Sequence, residues 1–237
     1  YKNVMDGDEA GLGTASMALP LDFVPGSRWS YSNTAYVMLG LLVRRVTGRF
    51  YGDVLVDEVF KPLGMPTARN ISEQEIIPQR ADGYEMKAGT LVNQGYVPPL
   101  LNSTADGSLY MALADYRAWD RAVNAGALLS AASWAQIFKP VRLTSGRDVP
   151  YGFGWNLGFA GGQPYRGHSG SWQGFETSFE HYDRGDITIV VLANLAGAKP
   201  TAISRKLAAE IDPLLVVDLP CLGGKPEDPC SFGPGAK

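Results

Sequence analysis

Tyr31-Ser32-Asn33 places a phenol and two short polar side chains directly before a strongly apolar stretch. A tyrosine, with an ordinary pKa of about 10, is a poor base at neutral pH. Neighbouring cations can stabilise its phenolate, and a helix N-terminus adds a modest push in the same direction. A phenol so placed can take a proton from a serine and return it to a leaving group. The bland alternative is a packed tyrosine with its hydroxyl in water. A second polar cluster, Gly167-His168-Ser169-Gly170-Ser171, follows much later in the chain. It offers an imidazole, two hydroxyls and two glycines within five consecutive residues.

The second cluster falls one residue short of Gly-x-Ser-x-Gly, the nucleophile elbow of α/β-hydrolases. That motif needs glycine where Ser171 stands, and an acid and a histidine later in the chain. The one later histidine, His181, lies ten residues on in a predicted strand, too close for that arrangement. His181 therefore reads as a strand side chain.

The elements that must hold these clusters can be drawn from periodicity. Thr34 to Thr47 is apolar nearly all round, which predicts a buried helix. Ser32 or Asn33 can cap it, Arg44 and Arg45 suit its last turn, and Gly48 ends it. Further helices are expected over residues 51–60, 113–124, 130–138 and 200–211, the last with Pro200 in its first turn. Residues 1–28 and most of 68–110 read as irregular, with short strands near Tyr84 and Leu91. After Gly146 the period becomes two. Tyr151 to Phe159 alternates as a strand, a short strand covers 165–168, and 174–182 and 187–194 flank a hairpin loop at 183–186. The run Ile187 to Ala193 is apolar enough for a central strand buried on both faces. Helices followed by consecutive antiparallel strands and a terminal helix make the fold class α+β. The domain division drawn from the pattern is 1–145, mostly helical and carrying Tyr31 to Asn33; 146–212, strands and the last helix; and 213–237, a Gly/Pro-rich tail.

Composition narrows the function. A net charge of −3 gives no reason to expect nucleic acid or an anionic membrane surface as partner. No apolar run is long enough to span a bilayer. Two cysteines and two histidines, scattered, are too few for a structural zinc site, and no cofactor or metal is implied. Cys221 and Cys230 sit close together in the tail. They read either as unrelated thiols or as a local disulfide, the latter implying a periplasmic or secreted location.

Several blocks carry a resemblance. Pro25-Gly26, Tyr31-Ser32-Asn33, Tyr36, Leu39-Gly40, Thr47-Gly48 and Pro62-Leu63-Gly64-Met65 come in one order. Tyr151-Gly152-Phe153-Gly154-Trp155, His168-Ser169-Gly170, Gly174-Phe175 and a strand ending in Asn194 follow. Together they are similar to the serine β-lactamase and penicillin-binding-protein superfamily. The resemblance implies an antiparallel sheet flanked by helices, a helical subdomain beside it and an active site at their junction. By position it implies Tyr31 as general base, Asn33 as a substrate contact, and His168 where many members have lysine. It also implies Ser169 as the hydroxyl, Gly170 as the residue that lets substrate lie along the strand, and the Ser171 N–H as an oxyanion donor. Trp172 reads either as a wall of the substrate cleft or as a packed aromatic. Asp115 lies where the family often keeps an aspartate in Ser-Thr-Ala-x-Asp-Leu. Here Ala112 replaces the usual capping hydroxyl, so Asp115 reads as helix-terminal electrostatics.

One family element is missing from the sequence. No serine has a lysine three residues on, so the Ser-x-x-Lys nucleophile is absent. The expectation is a serine hydrolase acting on an amide, lactam or ester of a small molecule or peptide through an acyl-enzyme. Its nucleophile would come from an N-terminal segment of the same protein, possible as a separate chain. The alternative is a catalytically inactive homologue acting as a ligand-binding or regulatory module. Histidine at 168, largely neutral at pH 7, weighs against a dedicated β-lactamase. It favours D-amino-acid peptidases, esterases and related amide hydrolases.

Overall fold

The computed structural model describes residues 9–70, 75–95 and 103–218. Its helices are α1 (Glu9–Met17), α2 (Asn33–Thr47), α3 (Tyr51–Leu55, continued by a π-helical turn Val56–Phe60), α4 (Leu113–Asn124), α5 (Ala131–Ile137) and α6 (Pro200–Ile211). Its strands begin with β1 (Arg69–Asn70), β2 (Tyr84–Lys87), β3 (Thr90–Asn93), β4 (Leu109–Tyr110), β5 (Val141–Arg142) and β6 (Asp148–Val149). They continue with β7 (Asn156–Ala160), β8 (Gln163–Trp172), β9 (Phe175–Tyr182), β10 (Ile187–Ala193) and β11 (Val217–Asp218). Two compact units emerge: Tyr1–Val24 with Ser30–Arg80 and Gly95–Leu128, and Pro25–Trp29 with Ala81–Gln94 and Leu129–Lys237. The second unit takes in two segments from the region drawn as helical, and its long continuous part begins at Leu129, ahead of the boundary at 145 drawn from the sequence. Cys221 and Cys230 lie outside the described residues.

In the first unit, α2 forms where expected. Ser32, in extended backbone, accepts from the Ala35 N–H at 3.1 Å, and the Gly48 N–H closes the far end on the Arg44 carbonyl at 2.8 Å. The expected burial all round is not found. Only Val37 and Gly40 are buried, while Leu39, Leu42 and Val46 are exposed. Apolar content on every side of a helix requires partners on every side, and among the described residues α2 has them on one. α1 also corrects the sequence reading, which left residues 1–28 irregular. Its small residues give no apolar period to read.

The start of α4 shows a substitution of one cap for another. Ala112 offers no hydroxyl, and Thr67 supplies one from a distant turn. Asp115 is buried and accepts from the Ala112 N–H at 3.0 Å, from the Thr67 N–H at 3.4 Å and from the Thr67 hydroxyl. The Thr67 hydroxyl in turn accepts from the Ala112 N–H at 3.0 Å. Asp115 is therefore a buried tie between the turn at 67 and α4, more than end-of-helix electrostatics.

The second unit is an antiparallel five-stranded sheet in the order β10-β9-β8-β7-β11. The α+β class is correct, but three strand readings change. Tyr151 to Phe159 is not one strand. The Gly152 N–H turns back onto the Trp155 carbonyl at 2.8 Å, and only residues 156–160 extend as β7. A side chain at Gly152 would stand 2.1 Å from the Ile137 carbonyl oxygen, so the alternating glycines serve a tight turn. β10 is an edge strand, paired only with β9 among the described residues. Its residues Ile187, Ile189 and Val191 join the core cluster, and Leu192 on the other face is exposed. Finally, the expected tail begins as structure: Leu215 is buried and β11 pairs with the outer side of β7.

The α6 face of the sheet carries a buried carboxylate. Glu180 of β9 accepts from the Tyr165 hydroxyl at 2.8 Å, the Tyr182 hydroxyl at 3.1 Å, the Ser204 hydroxyl and Arg205 Nε at 3.3 Å. Two strands and one helix thus share one charge, with Ala208 and Ser204 fully buried beside it. Burial first, and Glu180 second, push both phenols above the usual tyrosine range.

Removing the carboxylate leaves three buried hydroxyls without their acceptor. Glu180→Ala is expected to lower unfolding stability by about 3 kcal/mol in urea titrations, and Glu180→Gln by less. A tyrosine raised in the folded state keeps its proton after the unfolded chain has released it. Stability therefore falls as pH rises above about 10. In Glu180→Gln one cause of the raised phenols is gone, and that alkaline decline should be shallower.

Candidate active-site elements

Tyr31 stands immediately ahead of the α2 cap and is 45% exposed. Ser32 has a structural task, since its hydroxyl is the cap itself. Asn33 opens the helix and its side chain is exposed. The cations that could stabilise a Tyr31 phenolate are not among the groups that shift it. Burial, then Tyr36 and Asp106, hold it above the ordinary value. Within this chain Tyr31 is a protonated phenol at neutral pH.

The second cluster lies along β8. Antiparallel strands direct the N–H and C=O of one residue to one neighbour and those of the next residue to the other. The Leu157 N–H donates to the Pro150 carbonyl at 2.9 Å and so turns away from β8. Asn156, Gly158 and Ala160 therefore face β8, and their partners Gly167, Tyr165 and Gln163 face β7. The Pro164 carbonyl confirms the parity by accepting from Asp183 on the β9 side. By the same alternation Ser169 and Ser171 direct their N–H and C=O groups to the β7 side. β7 ends at the Gly167 pairing, so among the described residues His168 to Trp172 have β9 as a partner and no strand opposite. Ser171 and Trp172 are exposed at that open edge. A backbone N–H on an open edge is what an oxyanion donor requires.

His168 does not lie loose over the strand. Its Nδ1 is 2.7 Å from the Ser169 carbonyl oxygen and its Nε2 is 3.0 Å from the Tyr151 hydroxyl. Burial pulls its pKa below the usual histidine value, and the bond to the Ser169 carbonyl offsets part of that. Tyr151 is buried, with its ring 5.1 Å from Trp29 and edge-on to the His168 ring at 6.0 Å. Gly170 has a local reason to be glycine. A Cβ there would come within 2.7 Å of Thr177 Oγ1 on β9. Trp172 leads into a two-residue turn, where Gln173 and Gly174 both take positive φ, at 45° and 76°. That is the twist a tight hairpin needs.

Sequence reading missed Tyr151 and Trp29 as neighbours of the histidine. Tyr151 stood in the alternating run as a core residue, and nothing in spacing ties it to position 168. His181, read as a strand side chain, is buried in β9 with Nδ1 2.7 Å from the Thr188 hydroxyl and Nε2 3.4 Å from Asp183. A cleft of about 590 Å³ in the first unit is lined by Val56, Phe60, Met65 and Pro66, with Lys61 and Arg69 at its rim. It contains none of the candidate residues. No helix among the described residues is long and apolar enough to cross a membrane.

The antiparallel sheet backed by α6 has the fold of penicillin-binding proteins and D-amino-acid amidohydrolases. The chain belongs to the Beta-lactamase family, which its sequence matches over residues 4–212. Penicillin-binding protein 4* of Bacillus subtilis is 31% identical over 188 residues, 73% of this chain and 41% of that protein. A D-aminopeptidase of Gluconobacter oxydans is 28% identical over 193 residues, 81% of this chain and 36% of that protein. The chain thus spans less than half the length of either relative. A D-stereospecific amidohydrolase from Streptomyces sp. superposes with a TM-score of 0.73 at 23% identity, covering 90% of this chain and 63% of that one. That likeness shows the fold alone.

Two outcomes follow for these elements. The Tyr31 phenol should ionise above ordinary tyrosine in an NMR titration of the chain, identified by its loss in Tyr31→Phe. Gly170→Ala should cost about 1–2 kcal/mol through overpacking. Adding Thr177→Ala, which removes the obstructing hydroxyl, should recover most of that loss in thermal unfolding.

Proposed function

We propose that this chain carries two of the three catalytic elements of a serine hydrolase that cleaves an amide, lactam or ester through an acyl-enzyme. The third element, a serine activated by a lysine, would come from residues outside this sequence. The serine hydroxyl attacks the substrate carbonyl and gives its proton to the Tyr31 phenolate. The Ser171 N–H stabilises the oxyanion of the tetrahedral intermediate, a contribution of roughly 3 kcal/mol for one such donor. Tyr31 then returns the proton to the leaving amine or alcohol, and water hydrolyses the serine ester by the reverse route. Asn33, Ser169 and the Gly170 backbone contact substrate, and Trp172 lines its path.

The observation that carries this reading is the open edge of β8, where the Ser171 N–H points to a side that no strand occupies among the described residues. The raised Tyr31 phenol sharpens the requirement for the third element. A phenolate at neutral pH needs a cation close by, and the lysine of a Ser-x-x-Lys would be that cation. The name of one relative, D-aminopeptidase, supports an acyl group of D-configured amino acids.

The test uses the whole encoded protein. Expected results are stoichiometric labelling of one serine by a fluorophosphonate or penicillin probe, and hydrolysis of D-aminoacyl amides ahead of their L forms. Tyr31→Phe should lower kcat by about 10²- to 10⁴-fold. No labelling and no turnover would leave the inactive homologue, a binding or regulatory module, as the function.

A further inference from the structure

His168 stands beside the open edge of β8, and its two ring nitrogens are both engaged. A carbonyl oxygen only accepts, so Nδ1, at 2.7 Å from the Ser169 oxygen, carries the proton and donates. In the neutral ring Nε2 is then an acceptor, and the Tyr151 hydroxyl at 3.0 Å donates to it. Tyr151 is itself fixed. It is 6% exposed, packed on Trp29, and tied by a β-bridge to Asn156, the first residue of β7. Burial of the ring favours its neutral form, in agreement with the lowered pKa.

The Ser169 carbonyl is one of the groups that alternation directs to the open side of β8. A peptide laid along that edge would pair with Ser171 and, one two-residue repeat further, with Ser169. The His168 N–H already bonds the Ser169 carbonyl, so a ligand backbone must share that acceptor with it. Beyond it, Gly167 is taken by β7. The full pair of N–H and C=O at Ser171 is thereby left as the stronger ligand position, with the Ser169 carbonyl already shared.

We infer that Tyr151 is a positioning residue, holding His168 as a neutral Nδ1–H tautomer that competes with a ligand backbone for the Ser169 carbonyl on the open edge of β8. The edge then takes single-residue, uncharged acyl compounds such as aminoacyl amides and esters. It discriminates against extended peptides and against a free carboxylate at that position. The substrate part rests on the hydrolase reading above, and the tautomer part does not.

The test has two arms. The chain contains two histidines, so long-range ¹H–¹⁵N spectra of ¹⁵N-histidine-labelled protein are readily assigned, with His168→Gln removing one set of signals. The expected result is an Nδ1–H tautomer for His168 at neutral pH, converted to a mixture of tautomers in Tyr151→Phe. An Nε2–H tautomer in the unmodified chain, or an unchanged spectrum in Tyr151→Phe, overturns the inference whatever the activity.

The second arm compares kcat/KM of the whole encoded protein on a single D-aminoacyl amide, the corresponding tripeptide amide and a dipeptide with a free carboxylate. The single-residue amide should be preferred. Tyr151→Phe should reduce that preference about five- to tenfold, the loss of one hydrogen bond, through KM more than kcat. Equal rates on the three substrates overturn the substrate class. Absence of turnover on all three overturns the hydrolase reading and the substrate class with it, while the tautomer result still decides the role of Tyr151.

Discussion

β8 is hydrogen-bonded along its whole length on one side and along only half its length on the other. The open backbone groups of the second unit depend on that asymmetry. A strand enclosed on both sides would have no backbone groups left for a ligand. A strand free on both sides would be an aggregation-prone ribbon. Here β7 pairs from Gln163 to Gly167 and then leaves, because the turn at Gly152 to Trp155 reverses the chain against α5. The next residues, His168 to Trp172, keep β9 for support and face outward on the other side.

The support is stiff for identifiable reasons. β9 carries Glu180 on the face opposite His168, and three hydroxyls and a guanidinium converge on that one carboxylate. A buried charge so fully satisfied resists any displacement of α6 or of Tyr165 from its place. At the far end the hairpin is closed by Gln173 and Gly174, and a side chain at Gly174 would strike the Tyr84 amide, 2.6 Å away. The Tyr84 segment is fastened in turn to the end of β10, its N–H donating to the Asn194 carbonyl at 3.0 Å. The edge that could hold a transition state is therefore backed, clamped and terminated by contacts remote from it.

Tyr31 shows the opposite condition. Its backbone position is well determined by the Ser32 cap, but its electrostatic surroundings do not suit a base. Partial burial and nearby Asp106 favour the neutral phenol. The neutral, pinned His168 adds no positive charge of its own.

Much of this was written in the local sequence. The apolar run after Asn33, the Arg44-Arg45-Gly48 ending and Pro200 marked helices close to their observed bounds, since caps and periodicity act within a few residues. The hairpin read at 174–182 and 187–194 was legible from the turn residues between its strands and the apolar run of the second, and it forms at 175–182 and 187–193. The two polar clusters were legible from residue types alone. Long-range packing decided the rest. Whether the apolar sides of α2 are covered, whether β10 is central or at an edge, and whether the alternation at 151–155 is strand or turn all depend on what lies opposite. The bond between Tyr151 and His168, and the parity that turns Ser171 to an empty side, arise only when β7 stops short of β8. Sequence fixes what each residue can donate or accept; the tertiary structure selects its partner, because hydrogen bonds are set by distance in space.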